Sequence, residues 1–198
     1  MTNALPELDP SSTALLLMDF QRAMVGAIGD AAAGPVVANA VAALEWARTN
    51  KIHVAHLRVG FEPTEAAGIP HTNKFFAPLR GAGAMLHGSP EGEFVDSVKP
   101  ADHERVLSKT RIGAFSTTSL GPWLAAGNVE TVILAGITTS GVVLSTVREA
   151  ADKDLRVVVL RDAAADPDPL VHDVLVERVF PASADVVSTA QLTARRPR

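Results

Sequence analysis

The sequence predicts an α/β fold, a three-layer α/β/α sandwich on a parallel sheet, and three observations carry that prediction. Six short apolar runs alternate with segments of helical spacing along the 198 residues. The longest of these runs are nearly continuous rather than alternating, as befits strands buried on both faces. Their strand–helix–strand order calls for right-handed crossovers between parallel neighbours.

The elements follow in chain order. "TALLLMDF" (13–20) is the first strand, closed by Asp19 and followed by a glycine-bearing turn. "GPVVANAVAALEWARTN" (34–50) reads as a helix, with proline just inside its start, alanine-rich spacing and a polar end. "KIHVAHLRVGF" (51–61) is the second strand. From 60 to 103 the regularity fails, and five prolines fall there together with six glycines. A loop of this length inside a compact domain is either disordered or functional. Its phenylalanine, arginine and histidine residues favour an ordered lid or wall. "ERVLSKTR" (104–111) is the third strand, ending near Lys109, and "TTSLGPWLAAGN" (117–128) is a short helix with Ser/Thr caps. "VETVILAG" (129–136) is the fourth strand and "TTSGVVLSTVREAADKD" (138–154) the helix after it. A fifth strand "LRVVVLRDA" (155–163), a helix around 168–178 and a last strand "ADVVS" (184–188) complete the pattern. With no internal repeat and no boundary signal, residues 1–198 are expected to form one domain.

Composition removes whole classes of chemistry. There is no cysteine, which excludes disulfides, thiolate zinc sites, iron–sulfur ligation and thioester catalysis, and no tyrosine, which excludes phenol chemistry. A formal charge of -4 provides no field to gather a phosphate backbone, so nucleic acid is not expected as a partner. No apolar run approaches the ~20 residues of a membrane span, and the polar, proline-bearing start "MTNALPELDP" is unlike a signal peptide. The expectation is a cytoplasmic protein with a small-molecule substrate and no membrane partner. His53 and His56 stand three apart on a strand and face opposite sides, so they cannot share a metal. "GAGAML" (81–86) imitates half a dinucleotide fingerprint but follows no strand. Neither metal nor cofactor is expected.

In a doubly wound sheet, ligands sit outside the carboxyl ends of the strands. Asp19 closes the first strand, Lys109 the third, and residues 136–142 link the fourth to its helix. Alone, an aspartate after a strand is ordinarily a cap, a lysine ordinarily a solvated charge, and "GITTSG" ordinarily a tight capped turn. Together they would bring an acid, an ammonium and helix-start amides to one rim.

The segments "LLLMDFQ", "SKTRIGAFSTTSL" and "VILAGITTSGVVLSTVREAADKDLRVVVLRDAAAD", in this order, resemble the isochorismatase-like or cysteine-hydrolase superfamily over nearly the whole chain. The resemblance implies a parallel sheet of order 3-2-1-4-5-6 and a catalytic set of Asp, Lys and Cys. The acid would be Asp19 and the lysine Lys109. The motif G-x-x-T-x-x-C-V-x-x-T falls on Gly136, Thr139, Val142, Val143 and Thr146, so Val142 stands at the thiol position. Valine has no lone pair with which to attack a carbonyl. Ser140 and Ser145 should point away from the direction of residue 142, and Thr146 should lie deeper in the helix packing.

What the resemblance leaves is the branch that works without the thiol. Isochorismatases cleave a vinyl ether, where protonating carbon is the difficult step. The function expected is therefore a hydrolase of a small, anionic substrate, with Asp19 as general acid or base and Lys109 in support. The alternatives are a catalytically inactive binding scaffold of the same fold, or an amidase or esterase using Asp19-activated water. The resemblance also implies an oxyanion hole at the amides of Val142 and Thr138, beside a cis Ile137–Thr138 peptide. Substrate contacts are expected from Phe61, His71, Asn73, Phe76 and Arg80 in the irregular segment, and from Phe115. Exposed Leu and Phe around 170–180, with the family's habit, suggest a dimer or tetramer.

Overall fold

The computed structural model describes residues 7–195, so the expectation for the start "MTNALPELDP" lies, for residues 1–6, outside the described residues. Six parallel strands form one sheet of order β3-β2-β1-β4-β5-β6, the order the family resemblance implies. They are β1 (Thr13–Met18), β2 (His53–Val59), β3 (Arg105–Lys109), β4 (Thr131–Ile137), β5 (Arg156–Ala165) and β6 (Asp185–Val187).

The apolar runs fold as strands because both of their faces are covered. Along β1 the side chains alternate: Leu15 and Leu17 join one core cluster, and Ala14, Leu16 and Met18 join the other. Val158 and Leu160 of β5 follow the first face, Val157 and Val159 the second. The first layer is α2 (Asp30–Thr49), through Ala40, Ala43, Leu44 and Ala47. The second layer holds α4 (Leu120–Ala126) and α5 (Leu144–Ala151), through Leu120, Leu124, Val147 and Ala150. Among the described residues no helix is long and apolar enough to cross a membrane.

Several boundaries differ from the sequence expectation, each for a local reason. The turn after β1 contains a helix, α1 (Arg22–Ala27). Helix α2 begins at Asp30 rather than at 34, because Gly29 at φ 79 turns the chain and its carbonyl accepts from the amides of Ala32 and Ala33. Pro35 therefore sits in the second turn, not at the start. The 60–103 segment is ordered: it contains α3 (Pro63–Ala67) and three short 3-10 turns. The helix after β4 opens with a π turn, Thr139–Val143, before α5. The helix expected at 168–178 is α6 (Pro169–Val174), capped by Asp168, followed by another π turn, Leu175–Val179. Near it Leu170, Val171 and Val174 are exposed, but Phe180, expected at the surface, is fully buried. A further helix, α7 (Thr189–Thr193), follows β6 and is held by a capping box between Ser188 and Gln191.

Gln21 anchors the lid segment to the sheet. Its amide donates to the carbonyls of Val59 (2.8 Å) and Gly92 (2.7 Å), and its carbonyl accepts from Val59 N–H at 2.8 Å. The side chain is fully buried and continues the ladder where β2 ends. Gln21→Ala leaves three buried backbone groups unpaired and is expected to destabilise the fold by about 3 kcal/mol. Chemical denaturation measures this, and a loss under about 1 kcal/mol would mean that water replaces the amide without cost.

Candidate active site

The register of the sheet brings three chain segments to one rim. Met18 lies opposite Leu57 on β2 and Gly136 on β4, and Val59 lies opposite Lys109 on β3. Gly136 is required by that closeness, since a Cβ there would stand 2.9 Å from the Met18 carbonyl oxygen. One residue past Met18 the chain leaves the strand with Asp19 at φ 61, a left-handed conformation that aspartate tolerates better than most residues. The Asp19 amide still donates to the Leu57 carbonyl at 2.9 Å, which ties the bend to the sheet.

The Asp19 carboxyl and the Lys109 ammonium meet at this rim. Lys109 Nζ lies 2.8 Å from Asp19 Oδ2, and it also donates to the Arg111 carbonyl at 3.3 Å. Lys109 is fully buried and Asp19 nearly so. The second carboxyl oxygen, Oδ1, has no hydrogen-bond partner among the described residues. Burial raises the Asp19 pKa above the ordinary carboxyl value, and the attraction of Lys109 only partly offsets it.

Above the pair is a cavity of about 180 Å³. Asp19, Lys109, Thr138 and Val142 all line it, as do Ile137 and Gly141 of the same turn. The Ile137–Thr138 peptide is cis. Gly141 packs so closely on this turn that a Cβ would fall 2.7 Å from Thr138 Oγ1. Among the described residues, Thr138 is the only hydroxyl-bearing one in the lining. Thr146 is fully buried and, like Ser140 and Ser145, does not line the cavity.

The remaining walls differ from the expected set. Of the six candidate contacts, only Phe76 lines the cavity. Phe61 is fully buried behind it, its ring edge-on to Phe76 at 6.0 Å in the small core under the lid. Asn73 uses its carbonyl to accept from the Phe76 amide at 3.1 Å, and so shapes the turn. His71 and Arg80 are exposed. Phe115 belongs to the second core cluster, with Lys153 Nζ 5.4 Å from its ring centre. In their place stand Met24 from α1, Val59, and Phe75, Leu79 and Met85 from the lid, with Ile112 after β3. Aromatic and polar residues draw attention as ligand contacts, whereas isolated Met, Leu and Ile look like ordinary core. Met24 reaches the cavity from α1, a helix in a segment whose glycines read as a turn.

Away from this rim, Thr139 Oγ1 and His172 Nδ1 are 2.8 Å apart, and the Ser140 amide donates to Asp166 Oδ2 at 2.8 Å, tying the π turn to α6 and to the segment just before it. Burial lowers the His172 pKa below the ordinary imidazole value. Among the described residues no three His, Cys, Asp or Glu side chains are grouped as metal ligands would be.

The profile of the isochorismatase domain matches residues 13–191, nearly the whole chain. The chain belongs to the isochorismatase family. It is an isochorismatase-family hydrolase similar to maleamate amidohydrolase of Pseudomonas putida, at 32% identity over 88% of this chain and 82% of that one. Ureidoacrylate amidohydrolase of Methylobacterium radiotolerans is 31% identical over 91% of this chain and 79% of its own length. The fold is shared with a cysteine hydrolase from Pseudomonas syringae pv. phaseolicola (TM-score 0.87, 19% identity, 96% and 95% of the two chains covered). The isochorismatase-family rim in this chain is thus an acid, an ammonium and a helix start, in a protein without cysteine.

Proposed function

We propose that this hydrolase cleaves a small substrate by acid/base chemistry at Asp19, supported by Lys109 and without a thiol. The observation that carries the reading is the divided carboxyl of a cavity-lining acid: Oδ2 is fixed on Lys109, while the buried Oδ1 has no partner among the described residues. A general acid or base needs an oriented group with a free lone pair or proton facing the reacting atom. Because the cavity is present rather than filled by Val142, the reading favours catalysis over a retired scaffold.

By resemblance Val142 holds the thiol position, and it lines the same cavity as Asp19. No acyl-enzyme on sulfur is then available, so water is the attacking group. The amidohydrolase names of two relatives support amide hydrolysis, with Asp19 as the base that draws a proton from water. In this reading the amides of Thr138 and Val142 receive the developing oxyanion. Lys109 orients the carboxyl, and its charge favours the ionised form that acts as base. We assign the expected dimer or tetramer of a cytoplasmic enzyme to the exposed Leu170, Val171 and Val174.

The test is a panel of small amides, esters and isochorismate assayed with the wild-type and Asp19→Asn proteins side by side. Turnover by the first and its loss in the second is expected. Equal rates would defeat the mechanism.

A further inference from the structure

We infer that the cavity selects an uncharged, largely apolar substrate bearing a hydrogen-bond-donating group, such as a simple primary carboxamide, and disfavours carboxylates. This rests on the reading that the cavity at Asp19 is the active site. It departs from the anionic substrate expected from the sequence.

Charge is the first argument. Among the described residues, Asp19 and Lys109 are the only ionisable ones in the lining, and they face each other at 2.8 Å. The ammonium that should hold a substrate carboxylate is already matched. A carboxylate entering the cavity would meet a neutralised lysine and a second carboxyl, and would leave its hydration behind. Arg80, the cation expected to help, is exposed and does not line the cavity. The Arg111 guanidinium lies over the Phe76 ring, 5.9 Å from its centre, and donates to the Thr110 carbonyl at 2.6 Å.

Size and surface are the second. The walls are Val59, Phe76, Leu79, Met85, Ile112 and Val142 with few polar atoms between them. At about 180 Å³ the cavity holds roughly six waters' worth of volume and falls below the ~300 Å³ of ordinary drug-sized sites. Valine at position 142 adds an isopropyl group to this apolar wall, which suits a compact hydrocarbon body.

Polarity is the third. Asp19 lines the cavity, and its buried Oδ1 has no partner among the described residues, which leaves a strong acceptor with unused capacity beside it. A buried acceptor left unpaired is costly, and a ligand N–H satisfies it. A primary carboxamide supplies that donor while remaining neutral.

Binding is measured at neutral pH by ligand-observed NMR and calorimetry with matched probes, butyramide against butyrate and benzamide against benzoate. The amide of each pair is expected to bind about tenfold or more tightly than its acid. Ile112→Lys, which adds an unmatched cation to the wall, is expected to raise benzoate affinity over wild type. Asp19→Asn, which frees Lys109, should reverse the preference. Equal or tighter binding of the acids by wild type, or binding of neither member of either pair, overturns the inference. These readouts require no turnover: an Asp19→Asn protein that still hydrolyses substrate would sink the proposed mechanism while leaving the selectivity result intact.

Discussion

Asp19→Asn is expected to lower hydrolytic turnover by about 10²–10⁴-fold, the usual worth of a positioned general acid or base. Asparagine has nearly the same shape, so the cavity is retained, but it cannot exchange a proton. The substitution also acts on stability. Lys109 is fully buried with Asp19 as its charge partner, and removing one member of such a pair costs about 3–5 kcal/mol. Loss of activity in the single variant therefore has two explanations, folding and chemistry. The double variant Asp19→Asn/Lys109→Met separates them: with no buried charge left it should recover much of the stability and none of the turnover. Recovery of turnover would place the chemistry elsewhere. The pH profile then distinguishes base from acid. Burial raises the Asp19 pKa, so a base mechanism loses rate as pH falls through that raised value, and an acid mechanism loses rate as pH rises through it.

The strands and the acid–ammonium pair were legible in the sequence because each leaves a local mark. The buried strand β1 is a continuous apolar run that Asp19 ends, and Lys109 is the buried last residue of the short strand β3. The walls were not legible for the converse reason: Leu79, Met85 and Ile112 become cavity residues only through the path of the lid, which no periodicity encodes. Helix α1 was obscured because Gly26 and Gly29 read as a turn. By contrast α7 did carry a signal, the Ser188-x-x-Gln191 capping box. The role of Gln21 could not be read at all, since its three partners lie 38 and 71 residues away.

The steepest pH dependence of stability is expected from Glu104, on the opposite end of the sheet. Its carboxylate accepts from Arg48 Nε at 2.8 Å and Nη2 at 2.9 Å, from the Ala101 amide at 2.8 Å, and lies 2.9 Å from His56 Nε2. His56 Nδ1 has no partner among the described residues, and Nε2, facing an ionised carboxylate that can only accept, carries the proton and donates. The Glu104 side chain is only 3% exposed. Burial pushes its pKa up, but the converging donors outweigh it and hold the group at about 2. Its folded value is thus below the ordinary 4.5, so its contribution, about 3 kcal/mol, is present above pH 4.5 and disappears as pH falls toward 2. Burial also lowers the His56 pKa, against the pull of Glu104. His56 therefore acts with the same sign, losing stability as pH falls below its unfolded value. Glu104→Gln should cost about 3 kcal/mol near neutrality, because its NH₂ faces the donors of Arg48, and should flatten the acid limb of the stability curve. Denaturation midpoints measured from neutral pH to pH 3 report both effects, and parallel limbs for the two proteins would show that this carboxylate is not the acid-labile group. The consequence reaches the candidate site: Glu104 joins the return of the lid segment at Ala101 to α2 and β2, immediately before the strand that carries Lys109. Protonating it loosens the base of the element on which the buried ammonium stands.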